Sequence, residues 1–313
     1  TAPNLINLFL FFSTNLTDLF FIISTYTFIL SLLIIVFTLL SGILWFLDMF
    51  VFKPKRKALL KEKQKTQLVP LTKKEKSEIL DNTGMMGAIA DCFPILLVVF
   101  LVRSFLYEPF RIPSASMMPT LLRGDFILVE KFSYGIRNPF TNSVWFDTGK
   151  IERGDVVVFK YPENPSIDYI KRIVGLPGDK IYVEDEKLYI KKKDGDVVEY
   201  IGFEDVEKQP YLKFNEEYPS EHGIVFKENL MGYEHKIMHD ANARILEQFY
   251  VQSNQSYGEW VVPEGHYFAM GDNREHSRDS RYWGFVPDEL VVGKAKIVWF
   301  SFTFEELDII STV

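Results

Sequence analysis

The chain has 313 residues, 47% of them hydrophobic and 25% charged, with a formal net charge of −7 and one cysteine, Cys92; its mean hydropathy is +0.01. The charge is unevenly laid out: residues 1–52 carry only Asp18 and Asp48, residues 53–82 carry ten Lys/Arg against four Asp/Glu, and residues 108–313 hold −11. An acidic C-terminal two-thirds argues against nucleic acid, whose phosphates need clustered cations, and a lone cysteine rules out an internal disulfide or a cysteine metal cluster.

From Leu19 to Leu47 there are 29 consecutive uncharged residues, more than the roughly 20 that cross a bilayer core as a helix. The run predicts a transmembrane helix over 19–52, preceded by an N-terminal extension, 1–18. No basic region precedes the run and no small-residue cleavage site ends it, so it does not read as a cleaved signal peptide. The basic stretch 53–83 (KPKRKALLKEKQK, then TKKEK) follows. Short Lys/Arg-rich loops stay in the cytoplasm, which would place the N-terminus outside. A second apolar run, Cys92 to Val102, becomes long enough to span when its flanks are added, giving a helix over 84–107 with Arg103 snorkelling and Tyr107 at the interface. Two crossings would return everything after about residue 108 to the outer side.

That outer portion reads as β structure. Runs such as DFILVEKF, GDVVVFKY, DYIKRIVG, DKIYVE, KLYIKK, DVVEYI, HYFAMG and AKIVWFSF are short, β-branched or aromatic, and separated by Gly, Pro, Asp or Asn. They predict a mainly β, antiparallel domain, a sandwich or partly closed barrel, over 108–185 and 260–313. Residues 186–259 are richer in charge and weaker in alternation, and read as an inserted β subdomain.

Three constellations could carry chemistry. In Pro113-Ser114-Ala115-Ser116-Met117-Met118-Pro119 the prolines oppose a helix, so Ser114 and Ser116 fall in an extended or turn segment with both hydroxyls on one side. They could serve as nucleophile and oxyanion donor, or be ordinary turn serines. In Asp168-Tyr169-Ile170-Lys171-Arg172-Ile173, a period of two puts Lys171 on a face with Ile167, Tyr169 and Ile173. An amine there loses hydration in its charged form, and its pKa should fall towards the range of a general base. Alone it could equally be an edge-strand lysine. Arg172 and Asp168, on the opposite face, could pair. The third stretch, Gly271 to Gly284, is a dense polar loop containing Asp272, His276, Ser277, Asp279 and Arg281. A Ser/His/Asp triad drawn from His276 with Asp272 or Asp279 ranks below the serine/lysine pair, because neighbours on a tight loop do not face one another. His235 and His239 are four apart but lack the inner Glu of a metalloprotease helix, so no metal site is expected.

These constellations in this order, behind two apolar segments, closely resemble bacterial type I signal peptidase (leader peptidase) in its two-helix form. The match covers about residues 40–185 and 260–305, through VRSFLYEPFRIPSASMMPTLLRGDFILVEKFSYGI, RGDVVVFKYPENPSIDYIKRIVGLPGDKI and GDNREHSRDSRYWGFVP. The resemblance implies a signal peptidase/SOS-repressor-like Ser/Lys fold and a membrane-bound serine endopeptidase that removes signal peptides after small residues (Ala-x-Ala) through an acyl-enzyme, without a cofactor. Ser116 would be the nucleophile and Lys171 its base, with the Ser114 side chain and the Ser116 N–H as oxyanion hole. Ser277 would orient Lys171, and Asp272, Asp279, Arg281 and Arg172 would brace the loop. Phe110, Ile112, Pro113, Met117, Ile127, Val158, Tyr169 and Ile170 would surround two shallow apolar substrate pockets. His276 departs from the family pattern, which commonly has Asn there, and an altered loop contact is expected. The implied partners are signal peptides of exported preproteins, membrane lipids met by an apolar surface around Phe105 to Phe110 and Met117 to Met118, and transiently the secretion translocon. The implied location is the bacterial inner membrane, multi-pass, with the catalytic domain outside. An SOS-type repressor should lack spans, so hydropathy excludes it; a membrane-tethered scaffold or inactive relative is the competing reading.

Overall fold

The computed structural model describes residues 32–66, 70–81, 84–138, 142–184, 187–195, 198–205, 223–240, 243, 247–301 and 311–312. The expected extension 1–18 and the start of the first predicted span, 19–31, lie outside them. The chain divides into two compact units, residues 1–103 and 104–313.

Helix α1 runs Leu32–Thr66 and α3 runs Met85–Leu106, both long and apolar enough to cross a membrane; α2 is Lys73–Leu80. The basic stretch expected as a loop therefore continues α1 as helix to Thr66. Lys and Glu are good helix formers, and Pro54 does not break the run. Thr72 caps α2 in a reciprocal box with Glu75. Arg56 joins the two helices, donating both terminal nitrogens to the Asp48 carboxylate at 2.7 and 2.8 Å and its Nε to Leu80 O at 3.0 Å. The buried residues of α1 and α3 are small, Thr38, Ser41, Gly42, Gly87 and Ala90. A Cβ on Gly42 would meet the Phe93 ring at 2.8 Å. Such small-residue seams let helices approach closely where lipid supplies no hydrophobic drive. Many large apolar side chains of both helices, Leu33, Leu39, Phe50 and Ile95 among them, are exposed, as lipid-facing residues are.

The second unit is antiparallel β structure. Its strands are β1 (Tyr107–Arg111), β2 (Phe126–Glu130), β3 (Ile136–Arg137), β4 (Val144–Phe146), β5 (Val156–Tyr161), β6 (Asn164–Gly175), β7 (Lys180–Glu184), β8 (Lys187–Lys191) and β9 (Val198–Ile201). There follow β10 (Phe203–Asp205), β11 (Ile224–Leu230), β12 (Tyr233–His239), β13 (Glu259–Val261), β14 (His266–Met270), helix α4 (Ser280–Trp283), β15 (Val286–Pro287), β16 (Val291–Phe300) and β17 (Ser311–Thr312). The main sheet has the order β1-β2-β16-β5-β6-β14-β15, with β17 on β16; beside it lie β13-β7-β8-β9, β10-β11-β12 and β3-β4. All eight predicted strand runs form strands. Pro109 is tolerated because β1 is an edge. The hairpin β7–β8 and the pairing of β13 with β7 cross both the 185/186 and the 259/260 boundaries drawn from composition.

Alternation along β5 and β6 divides the core. Val156, Val158 and Ile170 join Ile112, Met117, Leu121, Ile127, Val129, Val292, Ala295 and Val298 in one cluster, while Val157, Phe159, Ile173, Ala269 and Trp283 form another. A third, around Ile181, Ile190, Trp260 and Phe268, is shared by β6, β7, β8, β9, β13 and β14, so the inserted strands have no separate core. Met117 and Met118, expected on an outer apolar surface, are buried, because the segment carrying them is wedged against the sheet. The exposed apolar side chains of this unit include Leu106, Val144, Trp145, Phe146 and Trp299.

Candidate active site

The segment after β1 turns sharply: Ile112 N donates to Asp125 O, Met118 N to Ala115 O and Leu121 N to Met117 O. Ile112, Met117 and Leu121 sink into the first core cluster, and Ala115 and Met118 into a small one with Met238. Anchored on both sides, the turn leaves Ser114 exposed and Ser116 only 7% exposed. Their hydroxyls are 3.3 Å apart. The Ser116 N–H donates to no other group among the described residues.

Strand β6 brings Lys171 to this turn. Its Nζ is 2.6 Å from Ser116 Oγ, and the residue is 4% exposed. Burial pulls the amine down to about 8, against the opposing pull of the Asp279 and Asp272 carboxylates. The Tyr169 ring lies 5.4 Å from Nζ and stacks on Tyr161 at 4.4 Å. The amine is thus walled by hydroxyl and aromatic surface, and the neutral form is accessible near physiological pH.

The loop after β14 braces the pair. Arg172, turned by strand alternation away from Lys171, grips Asp272 with Nε–Oδ1 at 2.8 Å and Nη2–Oδ2 at 2.7 Å, and donates to Gly154 O at 2.7 Å. Thr120 also donates to Asp272. The expected pairing of Arg172 with Asp168 does not form. Asp168 instead meets Lys160 at 2.8 Å, its partner directly across the β5–β6 ladder. Asp279 accepts from Gly271 N at 2.9 Å and holds Arg281 through two bonds of 2.8 Å. Both aspartates stay below the usual carboxylate range: burial opposes their charge, but the arginine facing each outweighs it. Gly271 is required by space, since a Cβ there would meet Ser277 Cβ at 2.4 Å and Ser116 O at 2.5 Å.

One expectation needs correction. Ser277 is buried, yet its hydroxyl makes no hydrogen bond to Lys171, because it is packed against Gly271. Of the expected pocket residues, Ile112, Met117, Ile127, Val158 and Ile170 share one cluster with Phe110 against it. Tyr169 packs on the opposite face of β6, with Phe159 and Tyr161, as its odd position on the strand dictates; Pro113 is exposed. His276 bonds Asp240 at 3.0 Å, while His235 and His239 meet Glu228 and Glu275. Residues that the sequence does not single out include Asn273, which donates to the Ser116 and Ala115 carbonyls at 3.1 and 3.0 Å, and Glu228, which binds Arg274. The polar loop that contains Asn273 is a signal for it; Glu228 has no local signal.

A buried amine on a serine hydroxyl, in an antiparallel β domain that follows two apolar helices, is an arrangement suited to acyl transfer. The family model described as "Signal peptidase, peptidase S26" matches residues 85–300. Curated relatives named signal peptidase I include those of Buchnera aphidicola subsp. Schizaphis graminum, 40% identical over 86% of this chain and 91% of that protein, and Pseudomonas fluorescens, 40% identical over 83% and 88%. That of Haemophilus influenzae is 36% identical over 84% and 83%. A crystal structure of a signal peptidase I from Enterococcus faecalis V583 matches at 27% identity over 47% of this chain and 98% of that one, with a TM-score of 0.27. The chain belongs to the signal peptidase family, peptidase S26.

Proposed function

We propose that the chain is a membrane-associated serine endopeptidase that removes signal peptides from exported preproteins with Ser116 as nucleophile and Lys171 as base. The observation that carries the assignment is the 2.6 Å contact between the buried Lys171 amine and the Ser116 hydroxyl. Ser116 Oγ attacks the scissile carbonyl carbon as its proton passes to neutral Nζ. The tetrahedral oxyanion accepts from the Ser116 N–H and the Ser114 hydroxyl, donors of a kind that contribute about 3 kcal/mol each when preorganised. Nζ then gives the proton to the leaving amine, the C–N bond breaks, and an ester to Ser116 remains. Water attacks the ester, Nζ takes its proton, and the Ser116 hydroxyl is restored as the signal peptide leaves with a new carboxyl terminus.

The apolar surface of Phe110, Ile112, Ile127, Val158 and Ile170 favours small side chains near the bond, and Tyr169 supports the base from the face of β6 that the two share. Val144, Trp145, Phe146 and Trp299, exposed on the same unit, are the lipid-contacting surface in place of Met117 and Met118, since aromatic rings suit the headgroup region. The catalytic unit lies on the outer side of the bacterial inner membrane, with the cationic end of α1 and α2 in the cytoplasm, and meets substrates as they leave the translocon.

Full-length Ser116→Ala and Lys171→Ala in detergent should not process a preprotein with an Ala-x-Ala site; cleavage by either purified variant refutes the assignment. Protease added outside intact spheroplasts should reach residues 108–313 and not the cationic segment, and the reverse pattern refutes the topology.

A further inference from the structure

The loop that braces Ser116 is itself held from outside, by strands of the inserted segment. Glu228 on β11 and His235 on β12 are register partners, and both are buried. The Glu228 carboxylate accepts from both terminal nitrogens of Arg274 at 2.6 Å. His235 Nε2 sits 3.1 Å from Glu228 and 3.9 Å from Asp272. The β12 backbone continues the grip, with Met238 N donating to Asp272 O at 2.8 Å and Arg274 N to Met238 O at 3.0 Å. Asn273, between the two clamped residues, is the one that reaches the nucleophile turn. Its N–H donates to Ser116 O and its Nδ2 to Ala115 O. The Met238 side chain packs with Ala115 and Met118 on the same turn.

We infer that the inserted hairpin β11–β12 is a positioning element of the peptidase site: Glu228, through Arg274, fixes Asn273, and Asn273 fixes the carbonyls of Ala115 and Ser116 so that the Ser116 hydroxyl stays on the Lys171 amine. The physical basis is that a buried bidentate pair is short, directional and costly to break from one side, whereas the Ser116 turn has no regular secondary structure to hold it. Displacing a reacting group by about 1 Å costs on the order of a hundredfold in rate, so a modest relaxation of this chain of contacts is visible in turnover. Glu228 and Asn273 are positioning residues, acting through the backbone of the turn. The inference rests on the Ser116/Lys171 reading above.

The test uses the full-length enzyme in detergent, a preprotein with an Ala-x-Ala site, and steady-state kinetics. Four variants are compared: Glu228→Gln; Asn273→Asp, which turns an acceptor towards Ala115 O; the two together; and Glu228→Leu with Arg274→Met, which removes the pair without stranding a charge. Each single variant is expected to lower kcat about tenfold or more with KM within about twofold. The Glu228→Gln/Asn273→Asp combination is expected to lose no more than the worse single change, because the two act in series. Should Glu228→Gln fail to fold, the Glu228→Leu/Arg274→Met variant replaces it and is expected to show the same kcat loss. Parent-like kcat in the folded variants, losses that multiply, or a rise in KM alone would overturn the inference. Ser116→Ala in the same assay separates the two readings: its retained activity sinks the Ser/Lys assignment, whereas an inactive Ser116→Ala beside parent-like Glu228→Gln and Asn273→Asp sinks the clamp alone.

Discussion

Lys171→Met should abolish turnover and yet make the protein harder to unfold at neutral pH. Burial lowers the amine from 10.5 to about 8, and each pKa unit is worth about 1.4 kcal/mol, so holding this lysine costs the folded state about 3 kcal/mol. Methionine keeps most of the aliphatic stem and carries no charge. It forfeits the bond to Ser116 Oγ, about 1 kcal/mol, leaving a net gain of about 2 kcal/mol. For a domain of this size that corresponds to roughly 4–8 °C in Tm. The sign comes from proton counting: between pH 8 and 10.5 the unfolded chain holds the proton and the folded chain does not. The cost is therefore complete below about pH 8 and fades as pH rises towards 10.5. Thermal unfolding of full-length parent and variant in non-ionic detergent, followed by tryptophan fluorescence from pH 6 to 10, is the assay. A variant that melts at or below the parent at pH 7, or a difference that does not shrink above pH 8, would refute the reasoning.

Other expectations follow from the same geometry. Because only the neutral amine acts as base, kcat/KM should fall about tenfold per pH unit below about 8; a flat profile between pH 6 and 8 would exclude Lys171 as the base. Gly271→Ala should lower kcat at least about a hundredfold, since its methyl would meet Ser116 O at 2.5 Å, and parent-like turnover would show that the turn is free to move. Asp272→Ala strands the buried Arg172 guanidinium and should destabilise the catalytic unit by about 3 kcal/mol or more, read by denaturant unfolding; a shift under about 1 kcal/mol would mean that Thr120, Gly154 and Tyr233 suffice for Arg172. Trp145→Ser with Phe146→Ser should weaken processing of vesicle-embedded preprotein while leaving cleavage in detergent near the parent value, and equal losses in both settings would count against a lipid-contacting role.

What can be read from the sequence is what neighbouring residues decide. Lys171 declares its buried face through Tyr169 and Ile173, because strand alternation is a local rule, and the apolar runs of α1 and α3 need no tertiary context. The failures have one origin. Arg172 and Asp168 share a face, but the ladder sets Lys160 directly opposite Asp168, and the fold delivers Asp272 to Arg172 from 100 residues away. Met117 and Met118 look equally suited to lipid or to core until the sheet that covers them is known. Glu228 lies in a charge-rich segment of weak alternation; composition cannot distinguish a solvated glutamate from one whose partner, Arg274, is 46 residues along. The contact expected of the Ser277 hydroxyl rests on resemblance alone, and the close packing at Gly271 does not provide it.

The continuation of α1 through its basic stretch makes the membrane anchor a lever. The 14 residues from Lys53 to Thr66 extend the helix by about 21 Å, so a span tilted by about 20° carries their end about 7 Å sideways. Arg56 ties α2 to that arm, so the second helix travels with the first. A flexible loop would absorb such a tilt. Here a thinner or thicker bilayer, by retilting the span, would relocate a whole cationic surface.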